Sequence, residues 1–251
     1  IGRDKILFFA KLPMLFILIF LGWFLFWWTK KEFGLKTATL SLLLFSFSPE
    51  FIANGKLITT DVAATLGVVL STYFWLKFLR EPSKKNIISA GLIFGIVMLF
   101  KFSLILLVPF FGIITLVYAL LKKENVLKYA GFAILAGFIG FIFVVYPVYQ
   151  FHISNYPIEK QISDTVTTLE NSPIGPLKEL DIFMAKTPIL RPFGEYLLGL
   201  LMATQRTAFG NTVYFLGMIK AGGWWYYFPI IYLLKVPLAF HILTLISLIF
   251  A

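Results

Sequence analysis

Residues 48–61, Ser-Pro-Glu-Phe-Ile-Ala-Asn-Gly-Lys-Leu-Ile-Thr-Thr-Asp, form a short polar interruption between two long apolar runs. The interruption ends in Asp61, directly before the apolar run from Val62 to Phe78. This pattern is typical of a hairpin between two membrane-spanning helices. Few other acidic residues in the first half of the chain lie so close to an apolar segment. We therefore expect Asp61 to belong to any chemical site that the chain carries.

The composition indicates an integral membrane protein. Of the 251 residues, 59% are hydrophobic and 14% are charged, and the mean hydropathy is +0.88. A soluble domain is about one-quarter charged. Several runs approach the roughly 20 apolar residues that cross a bilayer, and they lack the alternation of a barrel strand. The sequence predicts an all-α, polytopic integral membrane protein.

Cysteine content and net charge exclude several kinds of site. The chain has no cysteine, so it forms no disulfide, thiolate metal site or thiol nucleophile. The net charge of +10 could indicate a nucleic-acid partner. Much of it instead lies in short clusters between apolar runs, where membrane proteins carry their cytoplasmic basic residues. We therefore predict contact with membrane lipids and none with nucleic acid.

The membrane topology follows from where the basic residues lie. Clusters at 30–36, 80–85 and 122–128 separate the apolar runs. As one helix, residues 87–121 would be about 50 Å long, far more than the roughly 30 Å hydrocarbon core. A single span would also move the third cluster across the membrane, against the positive-inside rule. We therefore predict two spans that turn at residues 100–102. The seven predicted spans are 8–28, 35–51, 60–79, two within 87–121, 128–149 and 226–251.

The domain organisation is predicted to be one membrane domain, residues 1–251. Residues 151–225 form the only long polar segment, and we predict an extracytoplasmic loop between the sixth and seventh spans. The same face would carry the 48–61 hairpin and the turn at 100–102. Because the chain begins at an isoleucine and ends within an apolar run, we expect an internal fragment of a longer protein.

Two features of the later spans predict how they pack. Gly131, Gly137 and Gly140 are small residues of the kind that let membrane helices approach closely. Lys235 lies within the last apolar run, two residues before Pro237. A lysine at that depth beside a helix breaker predicts a kink that faces a polar cavity.

Three ionisable residues on the predicted outer face allow a structural and a functional interpretation. Asp61 follows two threonines, so it could simply suit the dipole of a helix that Thr60 caps. It could instead orient a substrate hydroxyl or assist the base that deprotonates it. Lys101, in the turn between two apolar spans, could extend to the interface or bind a phosphate at membrane depth. Lys11, early in the first span, carries the same two alternatives.

The 151–225 segment and the start of the last span supply further candidates. Arg191 and Arg206 suit bidentate phosphate binding, although solvated loop arginines are common. The octet 222–229, Gly-Gly-Trp-Trp-Tyr-Tyr-Phe-Pro, is either an interfacial aromatic belt or a stacking surface beside a site. His152 and His241 lie far apart in sequence, so we infer no metal site. No nucleotide-binding or hydrolase motif is present. The candidate aromatic residues at the site border are Trp224, Trp225, Tyr226 and Tyr227.

Several stretches resemble the protein O-mannosyltransferase family and its bacterial members, the phospholipid-carrier-dependent glycosyltransferases. The resemblance extends over nearly the whole chain and is most specific in the aromatic octet. It implies a GT-C-type membrane core and transfer of a sugar from a polyprenyl-phosphate donor to an acceptor outside the cytoplasm, in a bacterial or archaeal plasma membrane. The stretches are Ala-Lys-Leu-Pro at 10–13, Phe-Ser-Pro at 47–49, Leu-Ile-Thr-Thr-Asp-Val at 57–62, Gly-Leu-Ile-Phe-Gly at 91–95, Phe-Lys-Phe at 100–102, the octet at 222–229 and Leu-Lys-Val-Pro at 234–237.

The resemblance also implies roles for particular residues. Asp61 matches the family's second acidic position, a supporting role, while the principal acid lies in a first external loop that we expect upstream of Ile1. Lys101 matches a recurrent lysine, and Lys11 stands where the family usually has arginine. The remaining candidate phosphate contacts are Arg191, Arg206 and Lys235. No cofactor is implied, since the lipid-linked sugar is the substrate, and the acceptor could be a protein, a lipid or a glycan.

Two other function classes fit some of these features. A transporter or lipid flippase would use the same buried lysines and the same kinked span for passage. Such proteins often contain inverted repeats, and the sequence shows none. A non-catalytic membrane scaffold would leave Lys101 and Lys235 unexplained.

Overall fold

The computed structural model describes residues 2–250, except for the side chains of Arg3, Asp4 and Phe209. Helices dominate this part of the chain, as predicted, and its only two strands pair as an antiparallel hairpin. The helices are α1 (Arg3–Phe33), α2 (Leu35–Ser46), α3 (Pro49–Asn54), α4 (Asp61–Arg80), α5 (Lys84–Met98), α6 (Leu107–Leu121), α7 (Val126–Gly140), α8 (Tyr146–His152), α9 (Ile158–Thr168), α10 (Gly175–Lys186), α11 (Arg191–Phe209), α12 (Tyr227–Lys235) and α13 (Leu238–Phe250), and the strands are β1 (Thr212–Phe215) and β2 (Met218–Ala221).

Four continuous helical stretches within the described residues are long and apolar enough to cross a membrane, and the bent pair α12–α13 could provide a fifth crossing. Helices α2 and α5, of 12 and 15 residues, occupy the positions of the other two predicted spans. Both are shorter than the roughly 20 residues that cross a bilayer, so the number of seven spans stays a prediction. The protein is therefore a multi-pass membrane protein. The four stretches are Lys5–Phe33, Asp61–Arg80, Phe102–Leu121 and Val126–His152.

The predicted second span, residues 35–51, is divided near Pro49 in the structure. Helix α2 ends at Ser46 and a separate short helix, α3, begins at Pro49. Proline has no backbone N–H and its ring clashes with the preceding turn, so it favours the first turn of a helix. Residues before Pro49 therefore leave the helical path, and Ser48 is extended with φ −70° and ψ 120°.

The predicted turn in the long apolar run at 87–121 is confirmed. Helix α5 ends at Met98, and a 3-10 segment, Phe102–Leu106, leads into α6. Lys101 lies between them in an extended conformation, with φ −162° and ψ 135°. The lysine thus lies at the junction of two separate helices.

The predicted last span is likewise bent. Helices α12 and α13 meet at an angle of 104°. Val236, at the junction, is extended with φ −75° and ψ 130°, as the residue before a proline prefers. The sharp bend follows from Pro237 and confirms the predicted kink, while the polar cavity expected beside Lys235 stays a prediction.

A glycine contact sets the crossing of α5 and α7. A Cβ atom added at Gly95 would lie 2.5 Å from the carbonyl oxygen of Gly140, and one added at Gly140 would lie 2.5 Å from that of Gly91. The two backbones therefore touch, as the packing prediction for Gly140 requires. The same prediction is wrong for Gly131 and Gly137, because no atom lies within 4 Å of a Cβ added at either position.

The main core lies between α4, α5, α6 and α7. At its centre the rings of Trp75 and Phe111 stack with centroids 4.5 Å apart and planes 8° apart. The Trp75 indole Nε1 donates to the Thr115 hydroxyl at 3.0 Å. This bond satisfies both polar groups, which would otherwise be costly to bury in an apolar core.

Helices α1 and α4 run in the same direction. Leu21 of α1 packs on Val62 near the start of α4, and Glu32, near the end of α1, forms an ion pair with Arg80 at the end of α4. The start of α4 therefore lies towards the first half of α1. This arrangement brings Asp61 and Lys11 to the same end of the bundle.

Residues 151–225, predicted as a loop between spans, contain three helices and the hairpin. Helices α9, α10 and α11 pack together around Leu169, Leu198 and Leu201, all buried. A folded unit can hold side chains in fixed positions, which an irregular loop cannot.

Candidate functional site

An ion pair between Asp61 and Lys101 is the centre of the candidate site. The Asp61 carboxylate Oδ1 accepts a hydrogen bond from the Lys101 ammonium Nζ at 2.7 Å. Asp61 is the first residue of α4 and Lys101 lies in the turn after α5, so the fold joins residues 40 positions apart. The side chains are 53% and 40% exposed, respectively, which leaves both accessible to a ligand.

The capping interpretation of the Thr-Thr-Asp sequence is only partly supported. Thr60 occupies the position before α4, but its side chain makes no capping hydrogen bond. An acid in the first turn still suits the helix dipole. The recorded side-chain bond of Asp61 goes to Lys101, and an exposed pair of this kind is worth only about 0.2–1 kcal/mol. A ligand can therefore replace either partner at little cost.

The Lys101 turn is fixed in place by its neighbour Phe102. The Phe102 ring packs so closely on Gly199 of α11 that a Cβ there would lie 2.2 Å from it. It also contacts Tyr196, with ring centroids 5.8 Å apart, and Tyr196 in turn contacts Phe141 at 5.7 Å. The 151–225 unit thus packs directly against the turn that carries Lys101.

An open apolar groove of about 530 Å³ begins one residue after Lys101. One wall is the 3-10 segment from Phe102 to Leu106, and the other is formed by α11 with Ile174. Ser103, Thr204 and Thr207 also line it, and the two threonine hydroxyls donate to carbonyls of their own helix. The groove lies within the volume range of ligand pockets, roughly 300–1,000 Å³, and its lining suits an apolar group.

Three other predicted cations lie on helices that carry neither Asp61 nor Lys101. Lys11 lies on α1 at the same end of the bundle, Arg206 in the last turn of α11, and Lys235 at the end of α12. Among the side chains that the structure describes, which leave out Asp4, none of the three forms an ion pair. The proposed phosphate contacts of Lys11, Arg206 and Lys235 therefore stay predictions.

Arg191 has a structural role that the sequence did not indicate. Its guanidinium donates to the Gln161 side-chain oxygen at 2.7 Å and to the Tyr156 carbonyl at 2.6 Å. Gln161, which is 1% exposed, donates in turn to the Glu195 carboxylate at 3.1 Å. Burial is the main reason why the pKa of Glu195 is raised. These bonds tie α9 to α11, and they use two of the five N–H donors of the Arg191 guanidinium.

Asp181 is the most unusual acid of the 151–225 unit and was not among the predicted site residues. It is 0% exposed and neither carboxylate oxygen has a hydrogen-bond partner. Burial, together with the nearby Glu195 carboxylate, raises the pKa of Asp181 to about 7. Helical spacing could have identified it, because Leu177, Asp181 and Ala185 follow at intervals of four on the inner face of α10.

The predicted aromatic border forms a cluster around the β-hairpin. Trp224, Tyr226 and Tyr227 surround Phe215 of β1, with ring centroids 5.8, 6.2 and 5.3 Å away. Trp225 points away and is 89% exposed. The ring contacts found for these residues lie within the hairpin and the start of α12, so a position beside the Asp61–Lys101 pair stays a prediction.

The polar groups that the structure brings together at the site are a carboxylate and an ammonium group. Within residues 2–250 no group of three or more His, Cys, Asp or Glu side chains is placed to hold a metal ion. Such a site can orient a hydroxyl, accept its proton and neutralise an anion.

Comparison with known proteins gives one result. The family model described as dolichyl-phosphate-mannose-protein mannosyltransferase matches residues 5–149, which include both Asp61 and Lys101. No curated protein and no solved structure matches the chain.

Proposed function

This chain belongs to the dolichyl-phosphate-mannose-protein mannosyltransferase family, and we propose that it transfers a sugar from a polyprenyl-phosphate carrier to an acceptor outside the cytoplasm. Family membership and the apolar helices identify it as a membrane glycosyltransferase of the GT-C type. The Asp61–Lys101 ion pair carries the finer proposal. It supplies a carboxylate and a cation at the start of a membrane-spanning helix, within the segment that the family model matches.

The proposed reaction displaces the lipid phosphate from the sugar. The acceptor hydroxyl oxygen forms a bond to the anomeric carbon, while the bond from that carbon to the phosphate oxygen breaks. The electron pair of the broken bond stays on the phosphate, and the acceptor proton goes to a carboxylate. Asp61 orients the hydroxyl as a supporting acid, beside a principal acid that we expect elsewhere in the protein. Lys101 compensates the charge on the departing phosphate.

The ion pair itself supports this division of roles. In the free protein Asp61 and Lys101 satisfy each other at 2.7 Å. A phosphate near Lys101 would compete for its ammonium group and release the carboxylate to the acceptor. Because the pair is half exposed, the exchange costs little.

The apolar groove suits the carrier lipid. A polyprenyl phosphate has one charged group at the end of a long hydrocarbon chain, and the groove begins one residue after Lys101. We assign the first isoprene units of the tail to the space between Phe102, Leu106 and α11. Lys11, at the same end of the bundle, is proposed as a second phosphate contact.

The site is proposed to face outside the cytoplasm. The basic clusters at 30–36, 80–85 and 122–128 lie at the helix ends opposite Asp61 and Lys101, and membrane proteins concentrate such residues on the cytoplasmic side. A carrier whose tail stays in the bilayer would present its phosphate at the outer surface, where the pair is exposed.

The test is sugar transfer from a polyprenyl-phosphate donor by the full-length protein in vesicles. Asp61→Asn and Lys101→Gln should each lower kcat/KM by about 10²-fold or more, the lower limit for a lost proton-transfer or charge-stabilising group. Matched controls are Glu50→Gln and Lys56→Gln, which change an exposed acid and an exposed lysine in the same polar stretch. Both controls should retain transfer.

The double variant separates a joint role from two independent ones. If Asp61 and Lys101 act on one transition state, the double variant should lose little more activity than the worse single variant. Undiminished transfer by Asp61→Asn would remove this carboxylate from the site. Transfer by the wild type that needs no lipid-linked donor would refute the proposed reaction.

A further inference from the structure

A second polar site lies at the end of the bundle opposite Asp61. Helix α4 contains 20 residues, so its two ends are about 30 Å apart, which is the thickness of the hydrocarbon core. Near its last turn, a pocket of about 270 Å³ opens between α1 and α4. Asp61 and this pocket therefore lie at opposite membrane surfaces, and the pocket takes no part in the proposed transfer.

We infer that this pocket binds the phosphate of an anionic phospholipid headgroup. Its walls carry the cations Lys31, Lys77 and Arg80. Basic pockets between membrane helices at the bilayer surface bind such headgroups. Its volume of about 270 Å³ is close to the lower limit of ligand pockets, roughly 300 Å³, and is enough for a headgroup phosphate.

The charges of the pocket leave two cations available. Arg80 is already neutralised, because its guanidinium donates to both carboxylate oxygens of Glu32 at 2.7 and 2.9 Å. Within residues 2–250, Lys31 and Lys77 form no ion pair. Glu81 at the rim is exposed and partly offsets them. An anion would therefore bind between two unneutralised lysines beside a fixed arginine–carboxylate pair.

The aromatic side chains hold one of these lysines in place. The Lys31 ammonium lies 5.6 Å from the centre of the Trp27 ring and 5.5 Å from that of Tyr73, and it donates to the Tyr73 hydroxyl at 3.3 Å. Tyr73 is 7% exposed and packs edge-on against Trp28. The cation is thus positioned before a ligand arrives, which lowers the entropy lost on binding.

The surroundings of the pocket favour a lipid over a soluble phosphate. Trp23 and Trp27, on the adjoining face of α1, are 55% and 37% exposed, as expected for tryptophans at the boundary between headgroups and hydrocarbon. A phospholipid whose phosphate occupies the pocket could lay its acyl chains along this face. Free phosphate would gain the charge contacts alone.

The experiment is native mass spectrometry of the full-length protein in a neutral detergent, titrated with phosphatidylglycerol. Parallel titrations use phosphatidylcholine, which has no net charge, and glycerol phosphate, which has no acyl chains. We expect saturable binding of one phosphatidylglycerol and at least tenfold weaker binding of either alternative. Equal binding of glycerol phosphate would show a free-phosphate site, and equal binding of phosphatidylcholine would show that charge is irrelevant; either result overturns the inference.

Substitutions locate the lipid. Lys31→Gln combined with Lys77→Gln should weaken phosphatidylglycerol binding roughly 30-fold, since each basic residue near a membrane surface contributes about 1 kcal/mol. Lys31→Arg with Lys77→Arg keeps both charges and should retain binding. The control, Lys84→Gln with Lys85→Gln, removes the same charge from exposed residues at the start of α5. An equal loss in this control would mean diffuse attraction and no defined site.

Discussion

Replacing Asp181 by asparagine should stabilise the 151–225 unit at alkaline pH. The Asp181 carboxyl is completely buried without a hydrogen-bond partner, so its ionised form is costly. Burial raises its pKa from 3.8 to about 7. Between these two values the folded protein binds more protons than the unfolded chain, and its free energy of unfolding therefore falls as the pH rises towards 7.

The size of the effect follows from the two pKa values. One pKa unit corresponds to about 1.4 kcal/mol. The stabilisation from a protonated Asp181 is complete below the unfolded value of 3.8 and is lost above the folded value of about 7. Between about pH 5.5 and about pH 8.5, the free energy of unfolding of the wild type should fall by about 2 kcal/mol more than that of Asp181→Asn.

The assay is unfolding of the purified full-length protein in detergent at these two pH values. A loss of about 2 kcal/mol corresponds to a difference in Tm of roughly 4–8 °C for a chain of this size. Glu179→Gln is the matched control, because Glu179 lies on the same helix but is exposed; it should follow the wild type. If wild type and Asp181→Asn show the same pH dependence, the buried carboxyl does not titrate in this range and the reasoning fails.

Three further predictions concern other contacts of the fold. Exchanging Asp61 and Lys101, as Asp61→Lys with Lys101→Asp, should keep stability within about 1 kcal/mol because the pair is exposed, and should abolish sugar transfer. Gly95→Ala should lower the free energy of unfolding by about 1–3 kcal/mol or more, because the added methyl group meets backbone atoms at 2.5–2.8 Å. Gly131→Ala should not lower it. Unfolding in denaturant measures both changes. Arg191→Gln should cost about 2–3 kcal/mol and speed hydrogen exchange in α9 while α4 stays protected.

Each of these three predictions has an outcome that would contradict it. Full transfer by the exchanged pair would show that only the attraction between the two charges matters, and not which residue supplies the carboxylate. Equal stability of the two glycine variants would mean that α5 and α7 do not touch through their backbones. Unchanged exchange in α9 would show that its contact with α11 does not depend on Arg191.

Much of the membrane architecture was predictable because apolar run length and basic clusters are strong signals. The turn at Lys101 followed from helix length and charge alone. The break before Pro49 was missed because the predicted second span was extended to residue 51, past a proline that favours the first turn of a new helix. The glycine prediction failed at Gly131 and Gly137 since glycine permits close packing but does not show which face meets a neighbour.

The candidate site was predictable only in part. Asp61 and Lys101 were identified as isolated ionisable residues beside apolar segments, but their direct contact depends on how α4 and α5 pack. Arg191 was predicted to bind phosphate because arginine is suited to bidentate phosphate contacts. Its hydrogen bonds within the 151–225 unit depend on tertiary packing, which the sequence does not show. Asp181 lay on the inner face of a helix in a segment that was predicted as a loop, and its spacing was therefore not considered.

Helix α4 has an ion pair at each end, Asp61 with Lys101 and Arg80 with Glu32. These exposed pairs contribute little energy, but Trp75, Phe78 and Leu79 of α4 are buried in the main core, so α4 cannot slide or tilt alone to match a thicker or thinner bilayer. The mismatch has to be met by the whole bundle or by deformation of the lipid around it. We therefore expect the depth of Asp61 in the membrane to depend on bilayer thickness, and the activity of the protein to vary with the acyl-chain length of the membrane that holds it.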